Sequence, residues 1–262
     1  MARDALYLVT PEQPPIFNMA LDEWLFGQVC RNRLPPVLRL YTWAPPGVTL
    51  GYNQRYERAI DPLKMTAPIP VIRRITGGRA IYHDASEITF SFSTSLQTFG
   101  AGFPSLSATN SKMSELLKEL LIRLGIDAQW QQRSQHPQTN SLSKSQACFQ
   151  SVAKYELTAE GSKIAGVAQR IKGNFIIFQG SLKLNGIPPF PAIGQGAMEP
   201  VARVNSSARY SLDELKDLFP AVFAKYLNLE FNEFSLSSKD KAELAAKIAF
   251  LTKNPLEKRG FD

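Results

Sequence analysis

Between Val37 and Ser93 the chain offers extended segments in quick succession, with connections too short to hold crossover helices. VLRLYTW (Val37 to Trp43) reads as a strand, Ala44-Pro45-Pro46-Gly47 as a turn, and VTLGY (Val48 to Tyr52) as a second extended piece. Ile69 to Arg74 and Ala80 to His83 are short apolar runs divided by Ile75-Thr76-Gly77-Gly78-Arg79. ITFSFS (Ile88 to Ser93) alternates, with Phe90 and Phe92 on one face. Parallel neighbours need long crossovers, so this spacing predicts a mixed, largely antiparallel sheet.

Helices surround these strands. Asn18 is placed to cap a helix reaching about Val29. Met113, Leu116, Leu117, Leu120, Leu121 and Leu124 recur at helical spacing, and Gly125 follows as a stop. Gln131 to Gln146 is a long polar loop, and VAKYEL (Val152 to Leu157) and NFIIFQGSLKL (Asn174 to Leu184) are further strands. Ser211 with Glu214 and Ser237 with Asp240 have capping-box spacing, and Pro220 suits the first turn of a continuing helix. Strands and helices are interspersed without regular βαβ alternation, which predicts an α+β fold. No linker divides the chain, so a single domain over residues 1–262 is expected, with a C-terminal helical segment over about 211–253.

Composition excludes several classes. With 44% hydrophobic and 20% charged residues the chain is neither disordered nor membrane-embedded, and no apolar run reaches the roughly 18–20 residues that span a bilayer. The N-terminus lacks the basic flank and apolar stretch of a secretory signal. Two cysteines and two widely separated histidines give neither a disulfide framework nor metal-ligand spacing. A cytoplasmic, metal-free protein is expected. The net charge of +7 suits an acidic partner, and Gln131 to Phe190 alone carries seven basic residues against Glu156 and Glu160. No zinc-finger spacing, basic block or aromatic RNA-binding pattern accompanies it, so nucleic acid is not the expected partner.

Three clusters carry chemistry. In Arg73-Arg74-Ile75-Thr76-Gly77-Gly78-Arg79, continuing to His83 and Asp84, a Gly-Gly turn lets backbone approach a ligand beside three arginines. The same residues also read as an ordinary hairpin, with His83 in a strand and Asp84 accepting hydrogen bonds in a turn. Cys148-Phe149 ends the polar loop within the basic segment, where nearby lysines lower a thiol pKa; Cys30 sits on a helix among apolar neighbours. Gly161 to Arg170 places Lys163 among small residues, either as a turn and strand or as room for a ligand beside a fixed charge.

The chain resembles the biotin/lipoate A/B protein ligase family along nearly its whole length. Five separated segments carry the likeness in the family's order: Asn18 to Glu23, Pro46 to Tyr52, Arg73 to Asp84, Lys163 to Gln169, and Gly180-Ser181-Leu182. The resemblance implies a class II synthetase/biotin ligase-like fold without a separate ligase accessory domain. Cys148 stands where the family's octanoyl- and lipoyl-transferases carry their acyl-accepting cysteine, and Arg79 stands where the ATP-using ligases tend to have a third glycine. By the same resemblance Cys148 and Lys163 are catalytic. Arg73, Arg74, Gly77, Gly78, Arg79, His83, Asp84, Gly166, Ala168, Gln169 and Gly180 bind substrate. Gly166-Val167-Ala168 replaces the more usual Gly-Ser-Ala, and Phe178-Gln179-Gly180 replaces a histidine-bearing version. The implied reaction moves octanoyl from acyl carrier protein to a lysine of a lipoyl-domain or glycine-cleavage H protein, with no cofactor. Three alternatives stand beside it: a lipoyl amidotransferase using the same cysteine, a lipoate ligase using ATP and Mg, and a non-catalytic binding protein on this fold.

Overall fold

The computed structural model describes residues 1–100, 105–130, 157–159, 162–186, 188–196 and 210–260. Strand β1 (Arg3–Gln13) leads into helix α1 (Pro15–Cys30), followed by β2 (Val37–Trp43), β3 (Gly47–Leu50) and the single-turn helix α2 (Tyr56–Ala59). Next come β4 (Val71–Arg73), β5 (Ile81–His83), β6 (Ile88–Ser95), α3 (Leu106–Arg123) and β7 (Gln129–Trp130). The chain continues as β8 (Leu157–Ala159), β9 (Ser162–Lys172), β10 (Phe175–Leu182), α4 (Leu212–Leu227), β11 (Leu229–Glu233) and α5 (Ser238–Lys253).

The main sheet has the order β11-β1-β2-β6-β10-β9-β8-β7, and a small sheet has the order β4-β3-β5. β1 runs parallel to both β11 and β2, and beyond β2 every pairing in the main sheet is antiparallel. In the small sheet β3 is parallel to β4 and antiparallel to β5. This is the α+β architecture, with a mixed and largely antiparallel sheet among helices, that the strand spacing predicts.

Local signals set several ends as expected. Both capping boxes form, Ser211 with Glu214 and Ser237 with Asp240, and Gly125 takes a left-handed φ of 75° just past α3. Three readings need correction. Helix α1 starts at Pro15, whose missing N–H costs nothing at a first turn; Asn18 lies inside the helix and gives its side chain to the Gln13 and Thr42 carbonyls. Pro220 lies within α4, and the N–H it lacks would have met the Lys216 carbonyl on the exposed side. The segment 211–253 is also not all helix, because β11 joins the main sheet beside β1.

The core has two layers. Ala5, Leu38, Leu40, Phe90, Phe92 and Phe178 pack with α3 and α4 on one face of the main sheet. Val37, Tyr41 and Trp43 pack on the other face with Met19, Leu21 and Trp24 of α1 and with Leu244 and Leu251 of α5. Strand β1 escaped the sequence reading because it is buried on both faces: Ala5 and Tyr7 belong to the first layer, Leu8 to the second. Among the described residues no helix is long and apolar enough to cross a membrane.

Candidate active site

The turn between β4 and β5 holds Gly77 and Gly78, and Gly78 adopts φ 90°, a region L side chains rarely enter. Gly51, just after β3, lies against it so closely that a Cβ would sit 1.9 Å from the Gly78 carbonyl oxygen. Two arginines hold this backbone contact from either side. Arg74 donates to the Gly77 carbonyl through Nε and Nη2, to Arg79 O through Nη2, and to the Thr49 carbonyl and hydroxyl through Nη1. Arg73 donates to the carbonyls of Gly51, Tyr52, Gln54 and Leu256. Arg259 donates in turn to Arg73 O and pairs with buried Glu23 at 2.6 Å. These guanidinium groups shape the turn by binding its carbonyls.

Beside the turn lies a cleft between the small sheet and strands β9 and β10. Its mouth is at exposed Gly78 and half-buried Val167 and Ala168. Its floor is buried Met19, Tyr41, Trp43 and Thr89, with Thr49, Ile81, His83, Gln179 and Ser181 on the walls. Gly166 and Ala168 border it with almost no side chain. Gly180 also borders the cleft, yet its missing side chain serves the opposite face: a Cβ there would meet the Phe90 ring at 2.2 Å. Lys163 is 5% exposed at the start of β9. Leu157 of β8 pairs with Ala165 and Thr158 with Lys163, so Ile164 is an extra, bulged residue. Ile164 and Ala165 both enter the apolar layer, and the bulge thereby returns Lys163 to the face of β9 that carries Gly166 and Ala168.

Two buried carboxylates underlie the cleft. Glu87 Oε1 accepts from His83 Nδ1 at 2.8 Å and from the hydroxyls of Thr89 and Ser181, each at 2.6 Å; Oε2 accepts from Lys183 Nζ. Burial opposes the charge of Glu87, but His83 and Lys183, by charge and hydrogen bond, hold its carboxyl well below the ordinary carboxylate range. Burial lowers the pKa of His83, against the pull of Glu87. A neutral His83 giving its Nδ1 proton to Glu87 leaves Nε2 to accept from the Thr49 hydroxyl, 2.8 Å away. Its ring stacks on Trp43, with centroids 3.9 Å apart, and Trp43 Nε1 donates to Thr89. Asp22 on α1 accepts from Arg39, Ser91, Tyr41 and Gln179 at 2.7–2.8 Å. Burial first, then Asp22, pushes the Tyr41 hydroxyl well above its ordinary pKa.

The structure thus brings Arg74, Gly78, His83, Gly166, Ala168 and Gly180 to one cleft, with Gly77 in the adjoining turn. Arg79 is exposed in the same turn and is not among the lining residues. Asp84 stands apart from the lining, accepting from the Ser86 N–H and hydroxyl in its own turn, as the plainer reading has it. Gln169 points to the other side of β9, where it bonds Thr109 and the Leu106 carbonyl, because strand alternation sets it opposite to Ala168. Cys148, Phe149, the loop Gln131 to Gln146 and residues 152–156 of the VAKYEL strand lie outside the described residues. The basic segment is not simply a charged surface: Lys183 is buried on Glu87, and Arg170 donates to the Ile75 and Arg259 carbonyls. Sequence reading missed Glu87, Asp22, Trp43 and Gly51. The one hint was polar Thr89, Ser91 and Ser93 alternating with apolar neighbours in a strand.

The family model of the lipoyl protein ligase A/B catalytic domain matches residues 14–221. A protein named octanoyltransferase LipM from Staphylococcus epidermidis is 28% identical, covering 91% of this chain and 92% of its own length. Another of that name, from Carboxydothermus hydrogenoformans, is 32% identical over 88% of this chain and 89% of its own. A crystal structure of lipoate-protein ligase A bound with ATP superposes with a TM-score of 0.70 at 22% identity, covering 95% of both chains, and shares the fold. The chain belongs to the lipoyl protein ligase A/B catalytic domain family, as an enzyme of its transferase branch.

Proposed function

We propose that this protein transfers an octanoyl group from acyl carrier protein to a lysine of a lipoyl-carrying protein, such as glycine-cleavage H protein, through a thioester on Cys148. The observation that carries the reading is the narrow cleft with an aromatic floor and glycine and alanine walls, opening beside the turn Gly77–Gly78. An alkyl chain buries its surface there, leaving its carbonyl at the mouth. The octanoyltransferases covering nine-tenths of the chain supply the acyl class.

In the first half-reaction the Cys148 thiolate attacks the carrier thioester carbonyl, the new C–S bond forms, and the carrier sulfur leaves and takes up a proton. In the second, the target lysine amine attacks the Cys148 thioester; the amide forms, the amine loses a proton, and the cysteine sulfur is released. Lys163, on the cleft face of β9, favours the thiolate and polarises the acyl carbonyl. Exchange of one thioester for another is nearly isoenergetic and aminolysis runs downhill, so the cycle needs no ATP. Cys30 is the poorer nucleophile: burial raises its pKa, with Lys172 and Arg31 acting the other way.

The test is octanoyl transfer from acyl carrier protein to apo H protein, with and without ATP. Brief incubation with the donor leaves a hydroxylamine-labile acyl group that maps to Cys148. Cys148→Ala abolishes adduct and transfer, Cys30→Ala preserves both, and Lys163→Ala cripples transfer while leaving the fold intact. Full activity of Cys148→Ala together with a requirement for ATP defeats the reading.

A further inference from the structure

Among the described residues, every side-chain donor on the buried wall of the cleft is directed away from it. The Thr89 and Ser181 hydroxyls and His83 Nδ1 donate to Glu87, and the Thr49 hydroxyl to His83 Nε2. Trp43 Nε1 donates to Thr89. On the α1 side, the Tyr41 hydroxyl and the Gln179 amide donate to Asp22, the amide also reaching Met19 Sδ. Arg74 in turn gives its N–H groups to Gly77, Arg79 and Thr49, so among the described residues this wall offers no free side-chain proton to a ligand at its floor. Glu87 is suited to this because it is fully buried, accepts through both oxygens, and has Lys183 to balance its charge.

We infer that Glu87, with Asp22 beside it, is a specificity-determining residue that selects an unsubstituted alkyl chain over one carrying oxygen at its far end. An oxygen carried to the floor would lose its water and find no donor there, and its desolvation would be uncompensated. Hydrophobic sites reject an added hydroxyl by about 100-fold when nothing in the wall pairs with it. The inference rests on the acyl-transfer reading of the cleft.

The experiment uses the full chain and three carrier-bound donors: octanoyl, octanoyl with a terminal hydroxyl, and octanoyl with a ketone at its penultimate carbon. Transfer to apo H protein is read as kcat/KM. The wild type is expected to disfavour both oxygenated donors by roughly 100-fold, the ketone as strongly as the alcohol, because a ketone only accepts. Glu87→Met combined with Lys183→Met removes the buried pair together, and with it the oxygen that accepted from Thr89 and Ser181. The Thr89 and Ser181 hydroxyls are then freed toward the cleft, and discrimination against the ketone falls by at least about 10-fold. Equal use of octanoyl and ketone donors by the wild type overturns the inference while leaving octanoyl transfer intact. Undiminished discrimination in a folded, active double variant overturns it as well, and if that variant fails to fold the wild-type donor series decides alone. Failure of the wild type to transfer any of the three defeats the transfer reading and the inference with it.

Discussion

The two faces of strands β2, β6 and β10 are equally hidden and chemically opposite. Toward α3 and α4 they present Leu38, Leu40, Phe90, Phe92 and Phe178; toward α1 they present Arg39, Tyr41, Ser91, Gln179 and Ser181. Phe90 and Arg39 are both 0% exposed. The apolar face needs only complementary size, and its rings meet in tilted and edge contacts such as Phe92 on Phe223. The polar face needs a partner for every group, and Asp22 and Glu87 supply most of those named, with Thr10, Asn18 and Thr76 meeting the rest of Arg39 and Gln179. Burial alone therefore does not tell a core from a site; the completeness of the donor and acceptor set does. The cleft opens on the polar face.

The largest effect that tests this contrast is Asp22→Ala. Asp22 and Arg39 pair at 2.7 Å with neither side chain exposed. Removing the carboxylate leaves a buried guanidinium and three further donors short of an acceptor, at a cost of about 3–5 kcal/mol. Urea unfolding measures it, and a loss below about 1 kcal/mol would mean that the polar face carries little of the fold. On the apolar face Gly180→Ala forces a methyl into the Phe90 ring and costs about 1–3 kcal/mol by overpacking. Phe90→Leu in the same chain gives the methyl room, so the double variant loses less than the sum of the two; strict additivity would refute the steric account.

Gly78→Ala is smaller in stability and larger in function. The change strains a backbone at φ 90° by roughly 1–2 kcal/mol and brings a Cβ within 2.7 Å of Arg74 Nη2. Because Arg74 carries the Gly77 and Arg79 carbonyls, octanoyl transfer should fall more steeply than the thermal midpoint. Normal transfer in a destabilised variant would make the glycine purely structural.

What the sequence disclosed follows the range of the forces involved. Capping boxes and the stop at Gly125 act within a few residues, and both are legible. The succession of strands with short connections discloses the mixed sheet for the same reason. Alternation in ITFSFS says which residues share a face but not what covers it. Thr89, Ser91 and Ser93 fall opposite Phe90 and Phe92, and it is α1, distant in the sequence, that packs on their strand and brings Asp22 to Ser91. The two arginines show the same limit. Their proximity to glycines suggests a ligand, and only the tertiary contact of Gly51 with Gly78 reveals that their partners are carbonyls of the chain. Glu87 has no local signature, since its donors come from β5, β6, β10 and Lys183 just beyond it.

The smallest predicted effect is a pH step that belongs to the polar face alone. Burial lowers the pKa of His83 from its ordinary 6.5. On acidification the unfolded chain then binds a proton at this ring before the folded protein does, so stability falls as pH drops below about 6.5 toward the folded-state value. Glu87 acts in the same direction over a separate window: its carboxyl is depressed when folded, so its contribution persists above the ordinary 4.5 and is lost only at more acid pH. The measurement is the urea midpoint across mildly acid pH for the wild type and for His83→Gln, whose amide can still donate to Glu87 and accept from Thr49. The variant should lack the step near 6.5 and keep the loss below 4.5. A wild-type curve flat through 6.5, or a variant curve parallel to it, would mean that His83 takes up its proton without strain, and the oriented chain from Thr49 through the imidazole to Glu87 would not be fixed.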